Sequence, residues 1–364
     1  MMAQGQAVVN FAGGEPDFDT PEYIKKAAIK AIEEGFTKYT PATGFPLLKE
    51  AISRKFLRDN KLCYDPTQIV VNCGAKHSIY SIVQALCEKG DEVIIPSPYW
   101  VSYPEMVALA QAKTRFVNTD PGNNFKLEPK ALKRNITAKT KLLILNSPAN
   151  PTGSVYSKKE LQEIIDTVLK HKLYIISDEI YEKLVYDGKK HVSCASLDKS
   201  IFARTIVVNG VSKSFAMTGW RIGYLACADK EIIKAIGNLQ SHSTSNPCSI
   251  SQKAALVAIS SAKDALMQKM VKTFEDRRNC MMEGLDRAGL SYIKPEGAFY
   301  IFCNIKNTGL DSVSFSEKLL TKKEVAVIPG VAFGRDDYVR LSFATNAEKI
   351  VEGTKRIHKF LNTL

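Results

Sequence analysis

Between about residues 65 and 230 the chain repeats one pattern: a short run of aliphatic and β-branched residues, a polar or glycine-containing break, then a helix-like stretch. The runs are 68–73 (QIVVNC), 91–96 (DEVIIP), 141–146 (KLLILN), 173–177 (LYIIS), 205–209 (TIVVN) and 223–228 (GYLACA). Their apolar positions are consecutive rather than alternating, which predicts strands buried on both faces. Strands of that kind, alternating with helices, predict an α/β fold with a mostly parallel sheet and helices packed on each side.

Outside this block the pattern changes. The segment DTPEYIKKAAIKAIEEG has helical spacing, with Thr20 expected as N-cap, Pro21 in the first turn and Gly35 as its stop. From about residue 263 helices alternate with strands such as AFYIFCNI and YVRLSFA, and the chain closes on the helical NAEKIVEGTKRIHKFL. In YVRLSFA, strand alternation sends Val339, Leu341 and Phe343 to one face and Arg340 to the other. The expected division is a large domain over 36–262 and a smaller α+β domain made of 1–35 and 263–364.

Composition narrows the function classes. A chain of 364 residues with 45% hydrophobic content can bury a large core, and no apolar run approaches the roughly 18 residues of a membrane span. MMAQGQAVVN lacks the basic start and apolar stretch of a secretion signal, so the expected compartment is the cytoplasm. The eight cysteines lie far apart, without a C-x-x-C pair, and the five histidines are isolated, a pattern for neither a disulfide framework nor a metal site. The net charge of +12 is carried by 38 Lys against 12 Arg spread along the whole chain, which describes a solvated surface rather than a nucleic-acid groove.

Ligands of open parallel sheets bind outside the carboxyl ends of the strands. The residues that follow the predicted strands are therefore the candidates. They are Gly74, Ala75 and Lys76 after the first run, Trp100 after the second, Asn150 after the third, Asp178 and Tyr181 after the fourth, and Lys213 and Arg221 after the fifth. Each has an ordinary structural explanation when taken alone: a surface lysine, a helix cap, a core tryptophan, a turn. Together they are the set that pyridoxal phosphate (PLP) chemistry needs. A lysine amine forms a Schiff base with the aldehyde, and a carboxylate keeps the ring nitrogen protonated. A helix N-terminus with an arginine holds the phosphate. An aromatic face covers the ring, while Asn and Tyr bond its phenolate oxygen.

On GGEPDFDTP, TKYTPATGFPLLKEAI, PYWVSYPEMV, NSPANPTG, SDEIYE, SKSFAMTGWRIGY and VRLSFAT, the sequence resembles the class I aminotransferases of PLP fold type I, and within them the bacterial aspartate and prephenate branch. The resemblance implies a large domain with a mostly parallel seven-stranded sheet. It implies Lys213 as the Schiff-base lysine, Asp178 as partner of the ring nitrogen, Asn150 and Tyr181 on the ring oxygen, Trp100 stacked on the ring, and Arg221 with 74–76 around the phosphate. It further implies that Arg340 takes the substrate α-carboxylate, whose shape suits a planar guanidinium. Gly14 would line the substrate pocket through its backbone, and Lys76 would reach a distal carboxylate. Tyr39, in TKYTP, matches a tyrosine that reaches the phosphate of the neighbouring subunit, which implies a homodimer with shared active sites. The implied reaction is ping-pong transamination between an amino acid, aspartate or glutamate first, and a 2-oxo acid, oxaloacetate or 2-oxoglutarate.

The sequence departs from the branch in three places. An N-terminal arm of roughly two dozen residues is expected ahead of GEPDF, and MMAQGQAVVNFAG stands there. Gly-Ala-Lys at 74–76 replaces Gly-Gly-Lys, which is tolerable unless Ala75 needs a positive φ. Gly210 stands where related enzymes carry a phosphate-binding hydroxyl, with Ser212 as the nearest substitute. Aromatic or prephenate specificity, a PLP-dependent lyase and an inactive aminotransferase-like protein stay open as alternatives.

Overall fold

The computed structural model describes residues 7–261 and 264–364. The expected domain boundary at 262 and 263, and residues 1–6 of the expected small domain, lie outside them. A sheet of seven strands dominates: β1 (Ile69–Asn72), β2 (Glu92–Ser97), β3 (Lys113–Asn118), β4 (Thr140–Asn146), β5 (Tyr174–Asp178), β6 (Thr205–Gly210) and β7 (Gly223–Ala226), in the order β1-β7-β6-β5-β4-β2-β3. Strand β7 runs antiparallel to both of its neighbours, and every other pairing is parallel.

All six apolar runs became strands, and β1, β6 and β7 are buried at every residue, as consecutive apolar positions predict. The sequence pattern did not flag β3 (KTRFVN). It is an edge strand paired only with β2, and only its Val117 is buried, so polar side chains are tolerated along it.

The first long helix, α1 (Glu22–Glu33), corrects one expectation. Pro21, not Thr20, occupies its N-cap. The Thr20 hydroxyl instead donates to the Ala216 carbonyl at 2.7 Å and accepts the Trp220 indole N–H at 3.0 Å, so tertiary partners outcompete the local cap. Gly35 does stop the helix, at φ +72°, with its N–H on the Ile32 carbonyl. Two further helices follow strand ends: α2 (Ala75–Leu86) after β1 and α3 (Ser102–Leu109) after β2.

The second layer is α+β. Strands β8 (Tyr300–Asn304) and β9 (Tyr338–Ser342) pair antiparallel, with Arg340 opposite Phe302. Helices α4 (Asp264–Arg287) and α5 (Ala347–Leu361) supply Phe274, Met281, Ile357 and Phe360 to a core that also takes in Val9 and Phe11. Ile24 and Ala28 of α1 join a different core, with Leu48, Ile69 and Val207 beside the large sheet. The expected small domain took in α1 as part of 1–35; on this packing we propose the two-domain division with α1 on the large-sheet side instead. None of the helices among the described residues is long and apolar enough to cross a membrane.

Candidate active site

A cavity of about 490 Å³ opens at the carboxyl ends of the parallel strands, between that rim, the segment carrying Ala12, Gly14 and Glu15, and the β8/β9 face. Lys76, Trp100, Asn150, Asp178, Tyr181, Lys213, Arg221 and Arg340 all line it. Arg221 reaches the rim because β7 is antiparallel: the residues preceding that strand lie where the other strands end.

Lys213 lies three residues beyond β6. Its ammonium donates to the Gly14 carbonyl at 2.6 Å and lies 5.7 Å from the Phe299 ring centroid and 5.9 Å from that of Tyr181. Burial lowers its pKa to about 8. The nearby Arg340 and Arg221 guanidinium groups reinforce that shift, while Glu15 and Asp178 oppose it. A lysine so placed has an appreciable neutral fraction near physiological pH, the form that acts as nucleophile or base.

Asp178 ends β5 with its side chain buried. Burial raises its pKa to about 6 against the lowering effect of the Tyr103 hydroxyl, which donates to Oδ2 at 2.6 Å, and of the Ile180 N–H on Oδ1 at 3.2 Å. Tyr103, on α3, was not singled out in the sequence. Its signal was its place three residues after Trp100, one helical turn further on, and the two rings meet edge to face at 5.2 Å.

The anion cradle forms where β1 turns into α2. Gly74 is the N-cap of that helix, at φ +87°, which favours glycine, and a Cβ there would come within 2.4 Å of Arg221 Nη2 and displace that guanidinium. Ala75 is the first residue of the helix and not among the positive-φ residues, so its methyl is accommodated. Arg221 donates to the carbonyls of Thr218 at 2.9 Å and Cys73 at 3.3 Å, which fixes its guanidinium beside the free N–H groups of α2. A side chain at Gly210 would press on the Ile222 carbonyl at 3.0 Å, whereas Ser212 lines the cavity. The Lys76 ammonium stands 5.0 Å from the Trp100 ring centroid.

On the opposite wall Arg340 is buried in β9. Its Nη1 donates to Asn150 Oδ1 and its Nη2 to the Ala12 carbonyl, each at 3.1 Å, while the buried Nε has no partner. Its guanidinium lies 4.3 Å from the Tyr300 ring centroid and 5.1 Å from that of Phe333. Tyr181 and Tyr300 share a hydroxyl–hydroxyl bond of 2.9 Å. Asn146, also absent from the expected set, donates to the Asp178 carbonyl at 2.9 Å and accepts the Asn150 N–H at 2.8 Å.

One expected residue stands apart. Tyr39 is 88% exposed and does not line the cavity of its own chain. The histidines, isolated in sequence, are not all isolated in space: His191 Nε2 lies 3.1 Å from Glu179 Oε2. Neither Glu179 nor neighbouring Glu182 lines the cavity. The Ser177 and Ser193 hydroxyls donate to Glu179, while the Lys55 ammonium and Asn60 amide meet Glu182.

Together the cavity presents a partly neutral amine, an interior carboxyl, an aromatic plane, and a helix N-terminus with an arginine. Its amide and phenol donors stand beside a second arginine. This donor set fits PLP, and the fold and site define an enzyme of PLP fold type I. The sequence profile of the class I and II aminotransferases matches residues 6–357, and the chain belongs to that family. It is 48% identical to an aspartate aminotransferase of Geobacillus stearothermophilus, over 99% of this chain and 93% of that protein. It is 47% identical to a probable aspartate/prephenate aminotransferase of Rickettsia typhi, with the same coverage. The structure of the Thermus thermophilus aspartate aminotransferase with maleate superposes with a TM-score of 0.95 at 42% identity, covering 99% of this chain and 93% of the other.

Proposed function

We propose that this aminotransferase exchanges an amino group between aspartate or glutamate and the 2-oxo acids oxaloacetate and 2-oxoglutarate, using PLP held at the cavity of Lys213. The observation that carries this is the convergence of Lys213, Asp178 and Arg340 on one cavity, which Ala75, at the start of α2, and Arg221 also line. When bound, PLP supplies an aldehyde for the lysine amine and a conjugated ring that spreads the electron pair left at the substrate α-carbon.

The chain's own residues do the rest. Arg340 holds the incoming α-carboxylate with a guanidinium already oriented by Asn150 and Ala12. Lys213, once displaced, is the base that takes the α-proton, its burial keeping it from being locked in the ammonium form. Asp178 holds the proton on the ring nitrogen, and Tyr103 and Asn146 hold Asp178. Trp100 would cover the ring, Asn150 and Tyr181 would bond its oxygen, and the N–H groups of α2 with Arg221 and Ser212 would hold the phosphate. The backbone of Gly14 borders the substrate.

Lys76 is the proposed contact for the distal carboxylate. Purified protein should convert aspartate and 2-oxoglutarate into oxaloacetate and glutamate, with phenylalanine a poorer donor. Losing a charge-assisted contact costs about 1.5–3 kcal/mol. In Lys76→Ala, kcat/KM for aspartate should therefore fall roughly tenfold or more, and that for phenylalanine less. An equal fall for both donors would assign Lys76 to the cofactor alone, and absent turnover with either would overturn the function itself.

We also propose a homodimer in which Tyr39 completes the partner's site, because it is exposed on its own chain. Mixed dimers of Tyr39→Phe and Lys213→Ala chains test this. Acting in trans, one site of each mixed dimer regains both native residues, so adding inactive Lys213→Ala chains should restore activity per Tyr39→Phe chain. No restoration on verified subunit exchange would place Tyr39 in its own site. The eight cysteines are all unpaired, an arrangement that suits the cytoplasm we propose as its compartment.

A further inference from the structure

Tyr300 ties together two parts of the cavity that the proposed reaction uses separately. The β8/β9 register sets Arg340 opposite Phe302, and Tyr300, two residues along β8, shares that face. Its ring is the nearer of the two aromatic faces on the Arg340 guanidinium, at 4.3 Å. Arg340 is fixed by hydrogen bonds only through its two terminal nitrogens; Nε is buried without a partner, so ring packing completes its orientation. The Tyr300 hydroxyl points the other way along the same side chain, 2.9 Å from the Tyr181 hydroxyl. It also lies against the backbone of Gly14, where a Cβ would stand 3.7 Å from Tyr300 Oη, and the Gly14 carbonyl accepts the Lys213 ammonium. Both tyrosines are buried and both border the cavity.

We propose that Tyr300 is a positioning residue with two separable parts: its ring orients Arg340 for the substrate carboxylate, and its hydroxyl donates to Tyr181 so that Tyr181 donates to the cofactor ring oxygen. This rests on the function proposed above. A phenol oxygen accepts and donates at once. With Tyr300 as donor, the Tyr181 hydrogen is free for the cofactor, and the chain of two hydroxyls strengthens that outer bond. Without it, Tyr181 keeps its place in the core but becomes a weaker and less directed donor. No proton need leave either tyrosine.

Two variants of the PLP-loaded protein separate the parts. Tyr300→Phe keeps the ring and removes the hydroxyl. The pH midpoint at which the bound cofactor changes its absorption should move upward by roughly half a unit, because the anionic ring oxygen loses support. The KM for aspartate should stay within about twofold of wild type, as the Arg340 contact is kept. Tyr300→Leu removes both parts, and KM should rise about tenfold on top of the same spectral shift, with kcat falling less than KM rises. An unmoved midpoint in Tyr300→Phe would overturn the hydroxyl role, and a wild-type KM in Tyr300→Leu would overturn the ring role. If Tyr300→Leu does not fold, Tyr300→Met serves as the ringless variant, and the Phe titration decides the hydroxyl role by itself. A wild-type protein with no titrating cofactor band and no turnover would sink the functional proposal, and this inference with it. A normal wild type with unshifted variants would sink this inference alone.

Discussion

Lys213→Ala is expected to lose transamination by on the order of 10⁴-fold or more in kcat, the largest effect of any single substitution in the protein. The side chain is asked to do two things, to hold the cofactor and to move the α-proton, and a positioned base alone contributes about 10²–10⁴-fold. The loss should not come from unfolding. Burial lowers the Lys213 pKa from 10.5 to about 8, so between those values the unfolded chain binds more protons than the folded one, and stability rises with pH across that window. Below pH 8 the folded protein carries a charge it would rather not bury. Ligand-free Lys213→Ala should therefore melt at or above the wild-type temperature at pH 7, with the difference shrinking as pH rises towards 10. A dead variant that also melts well below wild type would mean that Lys213 is structural.

Asp178→Asn should trade activity for stability in the same sense. In the ligand-free protein burial lifts the Asp178 pKa from 3.8 to about 6, a raised folded-state value. The associated stability is present below pH 4 and is lost as pH rises through 6. At neutral pH the ionised carboxylate then costs up to about 3 kcal/mol. Asparagine keeps the shape and carries no charge; its oxygen can accept the Ile180 N–H while its NH2 donates to the Tyr103 hydroxyl, which accepts as well as donates. The ligand-free variant should melt higher than wild type above pH 6, and the two should converge near pH 4. Activity should move the other way, falling by about 10²–10³-fold in kcat, because the carboxylate no longer keeps the ring nitrogen protonated while charge develops at the substrate. Equal melting temperatures across the pH range would contradict the buried, costly carboxylate. Retained activity would contradict its role.

The strands that build the rim were legible because a strand buried on both faces has to be apolar at consecutive positions, and Lys213, Asp178 and Asn150 were legible because they follow such strands. Arg221 was legible as a residue following the fifth apolar run. Its reason for being at the rim, the reversed direction of β7, was not visible, since apolar runs carry no sign of strand direction. Edge strand β3 has one neighbour and tolerates polar residues, which hid it. Thr20 has an N-cap residue type, but its hydroxyl bonds Ala216 and Trp220, partners nearly two hundred residues away that no local pattern reports. The same long reach concealed Tyr300, whose meeting with Tyr181 and Arg340 depends on how the two sheets face each other. Asn146 closes β4 inside its apolar run, and Tyr103 lies a turn beyond Trp100 within α3, so neither stood out as a residue following a strand. The role proposed for Tyr39 lies in a second chain, in keeping with its exposure outside the cavity of its own.

The central claim is that Lys213 is the lysine that holds the cofactor. The direct measurement is borohydride reduction of the PLP-loaded protein, followed by proteolysis and mass mapping of the pyridoxyl group. The label should fall on Lys213, at one equivalent per chain, and be absent from Lys213→Ala. A pyridoxyl group on Lys76, or on any other lysine with Lys213 unlabelled, would contradict it.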